Sequence, residues 1–321
     1  MTLSWGVAAT GRIARAVGTV IASHPDMRVA AVGSRDPQRA RALAAELGAP
    51  RSHGSYAALV EDPDVQAVYV ATPHAQHAEV VELALAAGRP VLCEKPLTHT
   101  LAETERLAAL AVENGVFLME AMWMRFNPLV QELRSRVGAG DLGQVRSLHA
   151  SFGFVAPEDP AGRLWNPELG GGALLDLGVY TVDLARLLLG DPDRVEATGS
   201  LAPTGVDAEE SLHLSWSSGA HALLDTSLVA RLPGTALVVG TAGTAELGPT
   251  FHAPTRLRVE LTGAEPEEHV LDHRTAGFVG ELEEVARCVA EGRTQSDVLP
   301  LAETVATMAV LDEARRVLVA R

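Results

Sequence analysis

The sequence predicts an α/β chain: an N-terminal parallel sheet wrapped by helices, then an α+β domain built on a large, mostly antiparallel, open-faced sheet. Three observations predict this. Short apolar runs alternate with amphipathic stretches through roughly the first 120 residues, the pattern of βαβ units. From about residue 122 the texture changes to alternating apolar and polar residues, the period of strands with one wet face. The chain closes on two stretches of helical period. A length of 321 residues suits two domains, placed at 1–121 and 122–321.

In order, Leu3–Ala8 is a strand, Gly11–Ala22 a helix, Arg28–Gly33 a strand and Pro37–Leu47 a helix. A turn-rich stretch follows, after which Ser55 can cap a short helix reaching Val60. Ala67–Ala71 is the next strand, Gln76–Ala87 a helix and Pro90–Cys93 a strand. Thr100 and Glu103 form a T-x-x-E capping box opening a helix to Glu113, and Val116–Met119 closes the series. In the second part Asn127-Pro128 starts a helix, and Gly170–Leu189 is a long helical stretch behind three glycines. Arg194–Gly199, Ser211–Trp216, His221–Leu228 and Leu257–Leu261 alternate as strands do. Phe278–Glu291 and Pro300–Leu318 are the closing helices.

Composition removes several function classes. A net charge of −15 argues against nucleic acid and anionic membrane as partners. No apolar run approaches the roughly 18 residues that a membrane span needs, and MTLSWGVAATG has no basic stretch before a long apolar core, so no secretion signal is expected. Two cysteines, Cys93 and Cys288, cannot make a disulfide framework and suit a reducing cytoplasm, the expected location. Of 26 basic residues 25 are arginine, and Lys95 alone is lysine. A G-x-x-x-x-G-K-[ST] phosphate loop is therefore impossible, and kinase-type and most ATPase readings fall with it. No G-x-S-x-G elbow marks a serine hydrolase.

Ala9-Thr10-Gly11-Arg12-Ile13-Ala14 leaves the first strand and opens the first helix as G-x-G-x-x-A with Ala in the first glycine's place. Such a Rossmann turn brings backbone N–H groups and a helix N-terminus against a pyrophosphate. An enzyme using NAD usually offers an acid to the ribose about twenty residues later. Here the second strand runs into Ser34-Arg35-Asp36, with Arg39 one turn on. Ser34, Arg35 and Arg39 suit a 2′-phosphate, so NADP is expected as the cofactor, with NAD possible; ordinary solvated arginines are the plainer reading.

Glu94-Lys95-Pro96 follows a strand at the carboxyl end of the sheet, where open α/β folds place ligands. Lysine is a candidate for polarising a substrate oxygen, because burial and a nearby cation can pull its pKa down towards working pH, which arginine resists. Asp176, Tyr180 and Asp183 are spaced i, i+4, i+7 and share one helix face. Two readings of that stripe stand, a solvated face and a site in which Tyr180 moves a proton while Asp176 orients its neighbour.

Ala9–Ala14, Glu94-Lys95-Pro96, Glu120-Ala-Met-Trp123-Met-Arg125-Phe-Asn127-Pro128 and Gly170–Asp183 together resemble the glucose–fructose oxidoreductase/inositol dehydrogenase (Gfo/Idh/MocA) family, over nearly the whole chain. Tyr180 is most similar to the dihydrodiol dehydrogenase and NADP-dependent xylose or glucose–fructose oxidoreductase branch; inositol dehydrogenase-like members have His there. The resemblance implies hydride transfer between NADP and a secondary alcohol or hemiacetal carbon of a sugar, cyclic polyol or trans-dihydrodiol. Lys95 and Tyr180 would be the acid/base pair and Asp176 a third polar site residue, with a cis peptide before Pro96. Thr72, Pro73, His74 and His77 match a segment beside the cofactor, His74 standing where the family has Asn. Glu94 and Lys95 belong to the same wall; Trp123, Arg125 and, more weakly, Trp165 would lie near the nicotinamide. His74 and His77 could instead suggest a metal, but no C-x-x-C or H-E-x-x-H partner exists and none is expected. Family members dimerise or tetramerise through the open face of the C-terminal sheet. The same fold also serves as a non-catalytic NAD(P)-binding sensor or regulator and as an NAD-dependent glycosidase, the two alternatives kept.

Overall fold

The computed structural model describes residues 2–272 and 276–319. It divides into two compact units, one running to Met122 and adding Phe278–Val305, the other taking Trp123–Gly277 and the chain from Ala306. The first cut falls one residue beyond the expected boundary at 121/122. The closing helices do not belong wholly to the second part, because an amphipathic pattern marks an apolar face without marking which sheet it covers.

In the first unit β1 (Leu3–Ala8), β2 (Met27–Gly33), β3 (Arg51–His53), β4 (Ala67–Val70), β5 (Val91–Glu94) and β6 (Leu118–Ala121) form one parallel sheet, ordered β3-β2-β1-β4-β5-β6. Every residue of β1, β4, β5 and β6 is buried, which is why these strands are mostly apolar, with Ser4, Glu94 and Glu120 the polar members. β3 is three half-buried polar residues at the sheet edge, and no apolar run announces it. Between the strands lie α1 (Arg12–Ser23), α2 (Pro37–Glu46), α3 (Tyr56–Val60), α4 (His77–Ala86) and α5 (Leu101–Asn114). Asp36, Ser55 and Thr100 cap α2, α3 and α5 through their side-chain oxygens. Strand order reverses between β1 and β4, so their carboxyl ends open the crevice in which such sheets bind ligands.

The second unit holds α6 (Pro128–Ala139), β7 (Val145–Gly153), α7 (Val179–Leu189), β8 (Arg194–Leu201), β9 (Asp207–Ser215), β10 (His221–Ser227), β11 (Ala236–Gly240), β12 (Gly243–Leu247), β13 (Arg256–Leu261) and β14 (Glu267–Val270). They make one sheet, β14-β13-β12-β11-β7-β10-β9-β8, antiparallel but for the β7–β10 pair. Leu148, Leu212, Leu214, Ala222, Leu224 and Val238 are buried on one side, while Ser211, Leu223 and Asp225 alternate with them on the exposed side. The closing helices α8 (Ala276–Ala290) and α9 (Leu301–Val319) follow. The stretch expected as one helix over Gly170–Leu189 is not continuous. Gly170 (φ 74°) and Gly172 (φ 120°) hold left-handed backbone, a π-helical turn follows at Leu174–Gly178, and only then does α7 begin. No described helix is long and apolar enough to cross a membrane.

Candidate active site

The turn from β1 into α1 presents bare backbone. Gly11 is the N-cap, no side chain caps the helix, and a Cβ built on Gly11 would meet nothing within 4 Å. Open space before an uncapped helix N-terminus fits the pyrophosphate of a dinucleotide. Thr10 and Ile13 are half-buried, Arg12 is exposed, and Ala9 is buried with φ at 105°, a conformation that glycine adopts without strain and alanine does not. Ala9→Gly should therefore stabilise the protein: relief of roughly 1–3 kcal/mol of strain outweighs the ~0.5–1 kcal/mol of extra chain entropy. A rise in Tm of about 2 °C in thermal unfolding is expected; an unchanged or lower Tm overturns it.

At the end of β2 the acid nearest the ribose position is already committed. Asp36 Oδ1 accepts the backbone N–H groups of Gln38 at 2.9 Å and Arg39 at 3.1 Å, capping α2, while its own N–H donates to Ser34 Oγ at 3.1 Å. Arg35 and Arg39 are exposed beside it, and Arg35 also reaches the Tyr56 hydroxyl. The Tyr56 phenol is held above its ordinary pKa by burial, against the opposing Arg35 charge.

Beyond β4, Thr72 is buried and its hydroxyl has no hydrogen-bond partner among the described residues, an orphan that a bound cofactor would satisfy. Pro73 is half-buried and His74 buried beside it. His77 does not present a ring nitrogen to a ligand. It is fully buried, with Nε2 2.8 Å from the Thr72 carbonyl and Nδ1 3.0 Å from that of Pro96. Two facing carbonyls favour an imidazolium, but burial prevails and pulls the pKa down to about 4. His77 is thus neutral, donating its single N–H to one of the two carbonyls it lies between. No group of three or more His, Cys, Asp or Glu that could hold a metal stands among the described residues.

The Lys95–Pro96 peptide is cis. Lys95 is buried at the carboxyl end of β5, and the loop after it is anchored from several sides. The Glu120 carboxylate accepts the Leu97 N–H at 2.9 Å and the Thr304 hydroxyl at 3.0 Å. Glu94 accepts the Tyr69 hydroxyl at 2.5 Å, so this acid faces inward and braces the strand. Burial, reinforced by the Glu94 charge, pushes the Tyr69 phenol well up. The same two causes push up Glu281 on α8, fully buried with neither oxygen partnered among the described residues.

In the second unit Tyr180 opens α7, and its phenolic oxygen accepts the Trp123 indole N–H at 2.8 Å. Asp176, in the π-helical turn, is clamped by Arg163 at 2.9 and 3.4 Å. Asp176, Tyr180 and Asp183 are 6%, 6% and 1% exposed, so the stripe is not a solvated face. Asp183 has a different partner from the other two. It takes three hydrogen bonds of 2.7–3.0 Å from Arg125, itself 2% exposed. That buried pair ties Arg125 to Asp183 within the second unit. Trp165 is likewise a core residue, packed with Ala173, Leu177 and Leu228 while its N–H donates to the Pro157 carbonyl at 2.8 Å.

Several residues of this cluster escape sequence reading. His252 stacks on Phe152 at 4.1 Å between ring centres and lies 5.0 Å from the Tyr180 ring and 5.9 Å from that of Trp123. Nothing in the spacing of Phe152, Arg163 or His252 marks them, because each arrives from a different loop or strand.

The comparisons with known proteins agree with this architecture. The profile of an oxidoreductase family with an NAD-binding Rossmann fold matches residues 3–122, and that of the GFO/IDH/MocA C-terminal domain matches 130–246. Trans-1,2-dihydrobenzene-1,2-diol dehydrogenase of Mus musculus is 39% identical over 98% of this chain and 97% of its own length. An aldose-aldose oxidoreductase from Caulobacter crescentus, solved with glycerol, superposes with a TM-score of 0.90 at 27% identity, covering 99% of this chain and 97% of its own. A 3-ketoreductase from Actinomadura kijaniata, solved with NADP and TDP-benzene, gives 0.88 at 29%, covering 98% of both chains. With both parts matched and a full-length relative this similar, the chain belongs to the GFO/IDH/MocA family of oxidoreductases, its first unit being the family's NAD-binding Rossmann fold.

Proposed function

We propose that this NAD(P)-dependent dehydrogenase of CH–OH groups uses NADP and acts on a secondary alcohol or hemiacetal carbon of a ring-shaped diol, polyol or sugar. A trans-dihydrodiol, the substrate class in the name of the Mus musculus relative, leads the set. When bound, the nicotinamide supplies or accepts the hydride. The observation that carries the reading is the buried Tyr180 hydroxyl with the Trp123 N–H on its oxygen. That N–H stabilises a developing phenolate. In oxidation Tyr180 receives the carbinol proton, and in reduction it returns it. Lys95 supplies the positive charge that stabilises the alkoxide, and Asp176, held by Arg163, takes a neighbouring hydroxyl. The rings of Phe152, Trp123 and His252 cluster beside Tyr180 and supply aromatic surface for a ring substrate.

NADPH oxidation and NADP+ reduction over a panel of trans-dihydrodiols, aldoses, ketoses and inositols test this, with turnover of at least one cyclic substrate expected. No linked turnover in either direction favours the non-catalytic sensor; release of free sugar without net NADPH change marks a glycosidase. Arg35→Ala should raise KM for NADP about tenfold, the loss of one charge-assisted bond to the 2′-phosphate, and leave KM for NAD unchanged. Equal kcat/KM with NAD and NADP, or an unaltered KM for NADP in the variant, overturns the cofactor preference. Self-association through the exposed sheet face, as a homodimer or homotetramer, belongs to the same proposal, and sedimentation of a Leu223→Arg variant tests it by loss of the oligomer.

A further inference from the structure

Two carboxyl groups lie under the turn that carries Asp176 and leads to Tyr180. Asp207, at the start of β9, and Glu210 are only 8% and 3% exposed, and they lie within hydrogen-bonding reach of each other. Asp207 Oδ2 accepts the Leu174 backbone N–H at 2.5 Å. Glu210 Oε1 accepts the Thr226 hydroxyl from β10, and Oε2 has no donor among the described residues. Two acceptors cannot meet in a dry place unless a proton lies between them.

The glycines around the turn fit closely over this pair. A Cβ on Gly172 would stand 2.3 Å from Asp207 Oδ1, and one on Gly178 would stand 3.3 Å from Glu210 Oε1. The run from Gly172 to Gly178 is therefore a strap laid on two acids, and it needs bare backbone at Gly172.

We propose that Asp207 and Glu210 are positioning residues that share one proton, donated by Glu210 to Asp207, and that this latch fixes the Leu174–Gly178 turn and so the places of Asp176 and Tyr180. Its effect on rate rests on the function proposed above; its effect on the turn does not. Burial and the Asp207 charge hold Glu210 well above the carboxylate range, and Glu209 adds to this while the Thr226 hydroxyl opposes it. Burial also raises Asp207, against the Leu174 N–H and the Arg315 charge from α9. The folded chain thus keeps a proton that the unfolded chain gives up in the ordinary carboxylate range. The stability it represents is complete below that range and is lost as pH rises towards the raised pKa of Glu210.

Glu210→Gln and Glu210→Ala separate this from simple packing. The amide of Gln donates to Asp207 and its carbonyl accepts from Thr226 at every pH, so the latch stays closed; Ala leaves Asp207 buried and short of a partner. In Glu210→Ala the amides of 174–178 should exchange hydrogen faster by mass spectrometry, and kcat should fall about 10²-fold, the scale of a misplaced catalytic group. Glu210→Gln should restore wild-type exchange and most of kcat, and its Tm should decline less with rising pH than that of the wild type. Glu281 contributes the same slope to all three proteins and cancels in the difference. An unchanged pH slope in Glu210→Gln, or wild-type exchange in Glu210→Ala, overturns the latch. If the wild type turns over no substrate, the function reading has failed while the exchange and stability measurements still decide the latch.

Discussion

Lys95→Arg is expected to lower kcat by about 10²–10⁴-fold, nearly as far as Lys95→Ala, while the Kd for NADPH measured by fluorescence titration stays within a few-fold of wild type. The loss amounts to roughly 3–5 kcal/mol of transition-state stabilisation. Retained charge does not rescue it, because a guanidinium is a planar fork needing several acceptors and the Lys95 position is 8% exposed. In a chain whose other basic residues are all arginine, lysine stands where a compact ammonium is useful. Tyr180→Phe should give a loss of similar size. It also leaves the Trp123 N–H without its acceptor, at a cost of about 1 kcal/mol in stability, small against the rate effect. Wild-type turnover by Lys95→Arg would remove the assigned role, and a matching collapse of NADPH binding would move it from catalysis to cofactor retention.

The first unit was the more legible in the sequence, and the reason is physical. Strands buried on both faces, such as Ala67–Val70, are mostly apolar, so their runs stand out. The glycine turn and the Lys95 loop then follow from their places at strand ends. What the spacing of Asp176, Tyr180 and Asp183 could not show was that Asp183 answers to Arg125 and Asp176 to Arg163. A charged residue reads as solvated until its partner is brought to it by the fold. Asp207 and Glu210 were hidden for the same reason, and Glu281 more so, since two acids in β9 and one in a closing helix look like ordinary surface. The triple glycine was visible, but its cause was not, because the atoms that exclude a side chain at Gly172 come from β9.

Asp183→Ala and Arg125→Ala should each destabilise the protein by about 3–5 kcal/mol, since either leaves one charge buried without its counterpart. For Asp183→Ala the loss falls at the upper end. The Thr307 hydroxyl, which accepts from Arg186 at 2.8 Å, donates to Asp183 at 3.4 Å, so the variant also takes an acceptor from that hydroxyl. Urea unfolding at constant m-value measures both single variants; Arg125→Ala/Asp183→Ala closes the cycle, and the double variant Arg125→Met/Asp183→Leu is measured beside it. That double variant should recover most of the loss, because apolar residues of similar volume need no desolvation of charge. The cycle also decides what Arg125 is for. A strut gives a large coupling energy with KM for NADP unchanged; a residue that touches the cofactor gives a KM effect in Arg125→Ala that Asp183→Ala does not share. The three short bonds to Asp183 and the 2% exposure of Arg125 place the expectation on the strut. The R-F-N-P stretch would then matter to function by holding Trp123 in place, two residues before Arg125, where its N–H meets Tyr180.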